Sequence, residues 1–141
     1  MDYSPTEIVD ESARSRIAAF LTDRIYEFNA KTTGHDDARD YVIAVSDGKA
    51  DVVAGANGYT WGASCYVTNL WVTEALRGQG VGRSVLAAVE DCARRRGCGQ
   101  IILSSHTFQA PDFYTHHGFT EIFRIPDYPK DYDDVWLVKP L

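Results

Sequence analysis

Leu76-Arg77-Gly78-Gln79-Gly80-Val81-Gly82-Arg83-Ser84 places three glycines between a strand-like run and an amphipathic helix. Glycine accepts φ > 0 and carries no side chain to hold a ligand off the backbone. The N–H groups of such a loop can converge on one anion, and the following helix adds unpaired first-turn donors and the positive end of its dipole. A pyrophosphate would sit there without a lysine. Two familiar phosphate loops fail on the residues. A P-loop requires Lys-Ser/Thr after its last glycine, where this chain has Arg83-Ser84. The dinucleotide fingerprint requires a third glycine where Arg83 stands.

Around the loop, the periodicity alternates between strand and helix. Ile17, Phe20, Leu21, Ile25 and Phe28 recur at helical spacing after a candidate N-cap, Ser12, and predict a helix over 12–30. Lys31 to Asp37 reads as a polar loop, and 41–46 and 51–56 read as strands joined by an Asp47-Gly48 hairpin signal. A strand over 64–72 follows the turn at Trp61-Gly62 and leads through Thr73-Glu74-Ala75 into the glycine loop. Val81, Val85, Leu86, Val89, Cys92 and Ala93 form the apolar stripe of a helix over 82–96, with Arg94, Arg95 and Arg96 at its negative end and Gly97 as αL cap. Strands over 100–104, 119–124 and 135–139 and a short helix from Pro111 to Gly118 complete the chain. Hairpins followed by a β-helix-β crossover imply an α+β fold, a mixed, mostly antiparallel sheet with helices on both faces, in one domain over 1–141.

The segment Arg77-x-x-Gly80-x-Gly82 resembles the R/Q-x-x-G-x-G/A signature of the GNAT superfamily of acyl-CoA-dependent N-acetyltransferases. Ala110-Pro111-Asp112-Phe113-Tyr114-Thr115-His116-His117-Gly118-Phe119 resembles its A-x-x-x-Y-x-x-x-G-F segment, and Cys65 to Val72 enters the loop as the family's fourth strand does. The likeness extends over nearly the whole chain and is greatest to small single-domain members with unassigned acceptors. It implies acetyl-CoA as cosubstrate, held by Arg77, the backbone of Gly78, Gln79, Gly80, Val81, Gly82 and Arg83, and Thr107. It also implies that strand 64–72 splays from its neighbour, so that the backbone of Leu70-Trp71-Val72 takes the pantetheine arm and the thioester carbonyl.

An amine attacking a thioester must lose a proton, and the departing thiolate must gain one. The resemblance makes Tyr114 the acid, and the residues alone leave it open as a core aromatic beside Phe113. Many members carry a glutamate on the fourth strand, but 64–72 contains no carboxylate. Simple alternation would put Tyr66, Thr68 and Leu70 on one face and Val67, Asn69 and Trp71 on the other. His106, just past 100–104, is the candidate base, with an ordinary pKa of about 6.5; the alternative is a loop histidine without a role. His116 and His117 read as structural. The segment Asp127 to Asp134 reads either as a cation-binding wall or as a solvated turn, and it lacks the subgroup's glycine-histidine. No metal site is indicated. The expected activity is direct transfer in a ternary complex. The alternative is a non-catalytic acyl-CoA-binding sensor or partner module.

Composition bounds the partners. A chain of 141 residues, 45% hydrophobic, suffices for one core. Net charge −6 argues against nucleic acid or an anionic membrane surface and is compatible with a small cationic amine. Three cysteines without a C-x-x-C pair, and an N-terminus without a leader pattern, fit a cytoplasmic setting. An unpaired edge strand would make a homodimer plausible.

Overall fold

The computed structural model describes residue 1 and residues 3–141. It comprises two compact units, Met1–Asp36 and Asp37–Leu141. The first is built on helix α1, Glu11–Thr33. Asp10, not Ser12, is its N-cap, accepting from the Ala13 N–H at 2.8 Å. The helix runs three residues into the segment expected to be loop, and stops where Gly34 takes φ 77° and returns its N–H to Ala30. Phe20, Leu21, Ile25 and Phe28, its apolar stripe, are exposed.

The second unit holds a six-stranded sheet in the order β1-β2-β3-β4-β6-β5. The strands are β1 Arg39–Ser46, β2 Val52–Trp61, β3 Ser64–Val72, β4 Gln100–His106, β5 Thr120–Ile125 and β6 Asp134–Pro140. Only β3 and β4 pair in parallel, because helix α2, Val81–Arg95, lies between them in the chain; the other neighbours pair antiparallel. This is the mixed, mostly antiparallel α+β architecture expected from the sequence. Val85, Leu86, Val89, Cys92 and Ala93 of α2 are buried in one cluster with Ala54, Ala56, Cys65, Val67, Ile101, Leu103, Val135 and Leu137 of the strands. Full burial of each valine or leucine contributes about 1.5–3 kcal/mol. Beyond α2, the Cys98 N–H reaches the Ala93 carbonyl and the Gly97 N–H that of Arg94, a Schellman end with Gly97 at φ 75°.

Three local expectations change. Strand β2 extends five residues past Ala56 because Asn57 to Thr60 pair with both neighbours and Trp61 pairs with Ser64 of β3. Asp47-Gly48 does not make a two-residue turn: Asp47 Oδ1 accepts from the N–H groups of Lys49 and Asp51, and the left-handed residue is Ala50, at φ 67°. In β3, Asn57 pairs with Asn69 while Gly58 pairs with Val67, leaving Thr68 as an unpaired bulge. The bulge breaks the expected alternation, so Val67, Leu70 and Val72 all belong to the core side. Gly58 is what makes this possible. A Cβ there would lie 1.9 Å from the Tyr66 carbonyl oxygen, which accepts from the Tyr41 hydroxyl at 3.1 Å. Burial pushes the Tyr41 phenol far up, so it stays a donor.

Candidate active site

The parallel β3–β4 ladder is short. Ser64, Cys65 and Tyr66 pair with Gln100, Ile101 and Ile102, and the two strands then part. From Val67 to Val72, β3 has no strand partner but β2, so its other edge is open inside the sheet. The splay expected for Leu70, Trp71 and Val72 is therefore present. Leu70 and Val72 turn their side chains to the core, and Trp71 is half exposed on the opposite face.

At the end of β3 a single 3-10 turn, Glu74–Leu76, redirects the chain into the glycine loop. Gly78 and Gly80 take φ 73° and 83°, and a Cβ on either would meet nothing within 4 Å. Conformation, rather than crowding, requires these two glycines, and the space beside them is open. Gly82 differs from the sequence reading: it lies in the first turn of α2, where φ is not positive. A Cβ there would touch Val72 Cγ2 and the Phe113 ring, both at 3.6 Å. Gly82 thus marks where the end of β3, the start of α2 and helix α3, Pro111–His116, converge. Gly80 caps α2 without a side chain, so the N–H groups of Val81, Gly82 and Arg83 keep their capacity for an anion.

Arg77 donates Nε–H to the Val72 carbonyl at 3.1 Å, which ties the loop to the splayed strand and leaves the guanidinium's outer N–H groups for an oxygen ligand. Gln79 donates to the Ala75 carbonyl at 2.9 Å. Its side chain therefore braces the loop from behind.

Tyr114 is buried on α3, edge-on to Phe113 and Phe119 at centroid distances of 5.1 and 5.5 Å. Burial raises its phenol above the ordinary range, which keeps it protonated as an acid must be. The two readings of this residue meet here, since it packs in the core beside the loop-contacting Phe113. His116 and His117 each donate Nδ1–H to a carbonyl one turn back, Asp112 at 2.6 Å and Phe113 at 2.7 Å, and serve to close the helix.

His106 ends β4. Its backbone is clasped by Gln109, whose Oε1 accepts from the His106 N–H at 2.7 Å while the Gln109 N–H donates to the His106 carbonyl at 2.8 Å. The imidazole stacks on Phe108 and Tyr128, with both centroids at 5.4 Å. Nδ1 lies 2.9 Å from the Tyr128 carbonyl oxygen and 3.5 Å from Asp134 Oδ1. Thr107 holds the chain segment that supplies Tyr128: its N–H donates to the Asp133 carbonyl at 2.9 Å and its Oγ1 accepts from the Asp133 N–H at 3.1 Å. The Thr107 hydroxyl proton is left for another acceptor.

The 127–134 segment divides in two. Asp127 and Asp131 sit at φ 59° and 74° in a turn braced by Asp131 N–H to Asp127 Oδ1 at 2.7 Å, and Asp133 lies near Arg124. Asp134 is not part of an exposed wall. It opens β6 opposite His106 and is buried. No local pattern signals this, because only the register of β4 on β6 brings the two residues together. Among the described residues, no group of three or more His, Cys, Asp or Glu could hold a metal, and no helix is long and apolar enough to cross a membrane.

Residues 6–119 match the model of the acetyltransferase (GNAT) family. The chain belongs to this family. A crystallised protein from Agrobacterium tumefaciens described as an acetyltransferase is 30% identical, with each chain wholly covered and a TM-score of 0.84. The blasticidin-S acetyltransferase of Streptomyces morookaense is 34% identical over 66% of this chain and 69% of its own. An aminoglycoside 6'-N-acetyltransferase complexed with coenzyme A shares the fold at a TM-score of 0.64 and 18% identity, over 72% of each chain. The glycine loop, the splayed β3 and Tyr114 of this GNAT protein all lie within or beside the matched region.

Proposed function

We propose that this GNAT acetyltransferase uses acetyl-CoA to acetylate a primary amine by direct attack in a ternary complex. The observation that carries the reading is the parting of β3 from β4 after three residue pairs, next to a helix start capped by glycine alone. The N–H groups of the loop and of the first turn of α2 suit a pyrophosphate, with Arg77 beside them. The free edge of β3 at Leu70 to Val72 suits the pantetheine amides, and an N–H there would polarise the thioester carbonyl. Acetyl-CoA supplies the activated acyl group.

His106 takes one proton from the substrate ammonium, whose pKa is about 10, and so frees the lone pair that attacks. Tyr114 gives its phenolic proton to the thiolate as the carbon–sulfur bond breaks. The phenolate recovers a proton from the nitrogen of the new amide, and His106 releases its own to solvent, so one proton leaves per turnover. A small cationic acceptor fits the acidic chain and the Asp127, Asp131 and Asp133 turn, and a similar protein is named for an antibiotic acceptor.

The test is thiol release from acetyl-CoA across polyamines, aminoglycosides, nucleoside antibiotics, amino acids and basic peptides, with calorimetric titration of acetyl-CoA alone. Saturable turnover with one amine class supports the enzyme. Tight binding without turnover across the panel favours the acyl-CoA sensor, and absence of binding removes the phosphate-loop reading.

A further inference from the structure

We propose that Asp134 and the Tyr128 carbonyl together hold His106 in the Nδ1–H tautomer, leaving Nε2 as the bare nitrogen that takes the substrate proton, with Asp134 as a positioning residue. The base assignment rests on the acetyltransferase reading; the tautomer and the Asp134 coupling do not.

The argument begins with what a carbonyl can do. The Tyr128 oxygen has only lone pairs, so at 2.9 Å from Nδ1 it requires a hydrogen there. A neutral imidazole has one N–H, and Nε2 is then an acceptor. The Asp134 side chain, 6% exposed, approaches the same nitrogen with Oδ1 at 3.5 Å. Its other oxygen accepts from Trp136 Nε1–H at 3.1 Å, whereas Oδ1 is buried and has no hydrogen-bond partner among the described residues. A buried carboxylate oxygen without a donor carries an uncompensated desolvation cost. When the ring becomes imidazolium, its Nδ1–H can be shared between the Tyr128 carbonyl and Asp134 Oδ1, and the carboxylate is drawn towards the charge, which offsets part of that cost. The unpartnered oxygen is therefore matched to the charge His106 acquires after taking a proton.

The surroundings restrict the ring further. Phe108 and Tyr128 stack on the imidazole, and the Gln109 clasp fixes its backbone. Asp134 faces it from β6, Tyr128 from the 127–133 turn, and Tyr132 stands behind Phe108 at 5.1 Å. Asp134 is the charged group at ion-pair distance. At 24% side-chain exposure, His106 is supported but not sealed.

Nitrogen-15 NMR of the whole protein, without acetyl-CoA or acceptor, reads the tautomer directly. The expected neutral His106 shows a protonated Nδ1 and a pyridine-like Nε2; the opposite tautomer overturns the proposal. In Asp134→Asn the Nε2–H tautomer of neutral His106 gains population about threefold or more, because an amide N–H can donate to Nδ1 where the carboxylate could only accept, and an unchanged tautomer ratio overturns the role of Asp134. Asp134→Glu keeps a side chain that can only accept and is expected to keep the wild-type tautomer, which also serves should the asparagine variant fail to fold; a shift to the Nε2–H form there counts against the proposal. With an active amine, Asp134→Asn lowers kcat about tenfold at unchanged acetyl-CoA Kd. Failure of acetyl-CoA to bind would remove the acetyltransferase reading while leaving these NMR outcomes intact.

Discussion

The two halves of the candidate site are made of different materials. The half around Leu70 to Arg83 is backbone: a strand edge freed by splaying, two glycines at positive φ and the start of α2. The half around His106 is mostly side chains, joined by the Tyr128 carbonyl and drawn from β4, β6 and the turn between β5 and β6. A backbone site recognises what every CoA molecule presents and tolerates almost any side chain outside its glycines. A side-chain site depends on each participant, and on a register that brings residues 28 positions apart into contact. One half is suited to a constant ligand and the other to a chemical step and a variable one.

Four substitutions test that division. The largest effect is expected for Gly58→Ala. Its Cβ cannot coexist with the Tyr66 carbonyl 1.9 Å away, so the bulge must shift. A loss of about 3–4 kcal/mol in urea unfolding is expected, with weakened acetyl-CoA binding; wild-type stability would mean that the bulge does not support the backbone half. Next, Tyr114→Phe keeps the aromatic packing and removes the proton. A fall in kcat of about 10²-fold at unchanged acetyl-CoA Kd is expected, and equal rates would return Tyr114 to the core. Gly80→Ala places a side chain at φ 83°, a strain of about 1–2 kcal/mol that the loop relieves by moving. Calorimetry should show acetyl-CoA Kd raised about tenfold with the kcat of the bound enzyme retained; loss of kcat alone would blur the two halves. The smallest effect belongs to Arg77→Ala. An exposed guanidinium already sharing a bond with Val72 should contribute about threefold in Kd, and the difference should shrink with added salt.

Legibility in the sequence follows the same division. Gly78, Gly80 and the stripe of α2 could be read because local conformation and helical periodicity are properties of neighbouring residues. The parting of β3 and β4 was implied by the family resemblance and not by the residues of either strand. Thr68 escaped notice, since a bulge hides inside a run of good strand formers; the signal was Gly58 on the partner strand, an isolated glycine that marks close backbone approach. Asp134 reads as exposed in the sequence because it follows three other aspartates in a polar segment. Only the antiparallel register opposite His106 distinguishes it from them. Ser12 lost the N-cap to Asp10 because either residue type suits the position, and composition alone does not rank two candidates two residues apart.

Thr107 bonds to Asp133 in both directions, and the consequence reaches beyond holding a turn in place. The clasp pins Asp133 beside the end of β4, so Pro129, Lys130 and Asp131 can be exchanged while Tyr128, Asp134 and His106 stay put. What the turn must deliver to His106 is the Tyr128 carbonyl oxygen and its stacked ring, and both lie outside the exchangeable residues. Acceptor preference and proton chemistry are thereby placed on separate handles. For a designer, the turn is an interchangeable cartridge mounted on a fixed socket, and libraries confined to it would vary the choice of amine without rebuilding the base.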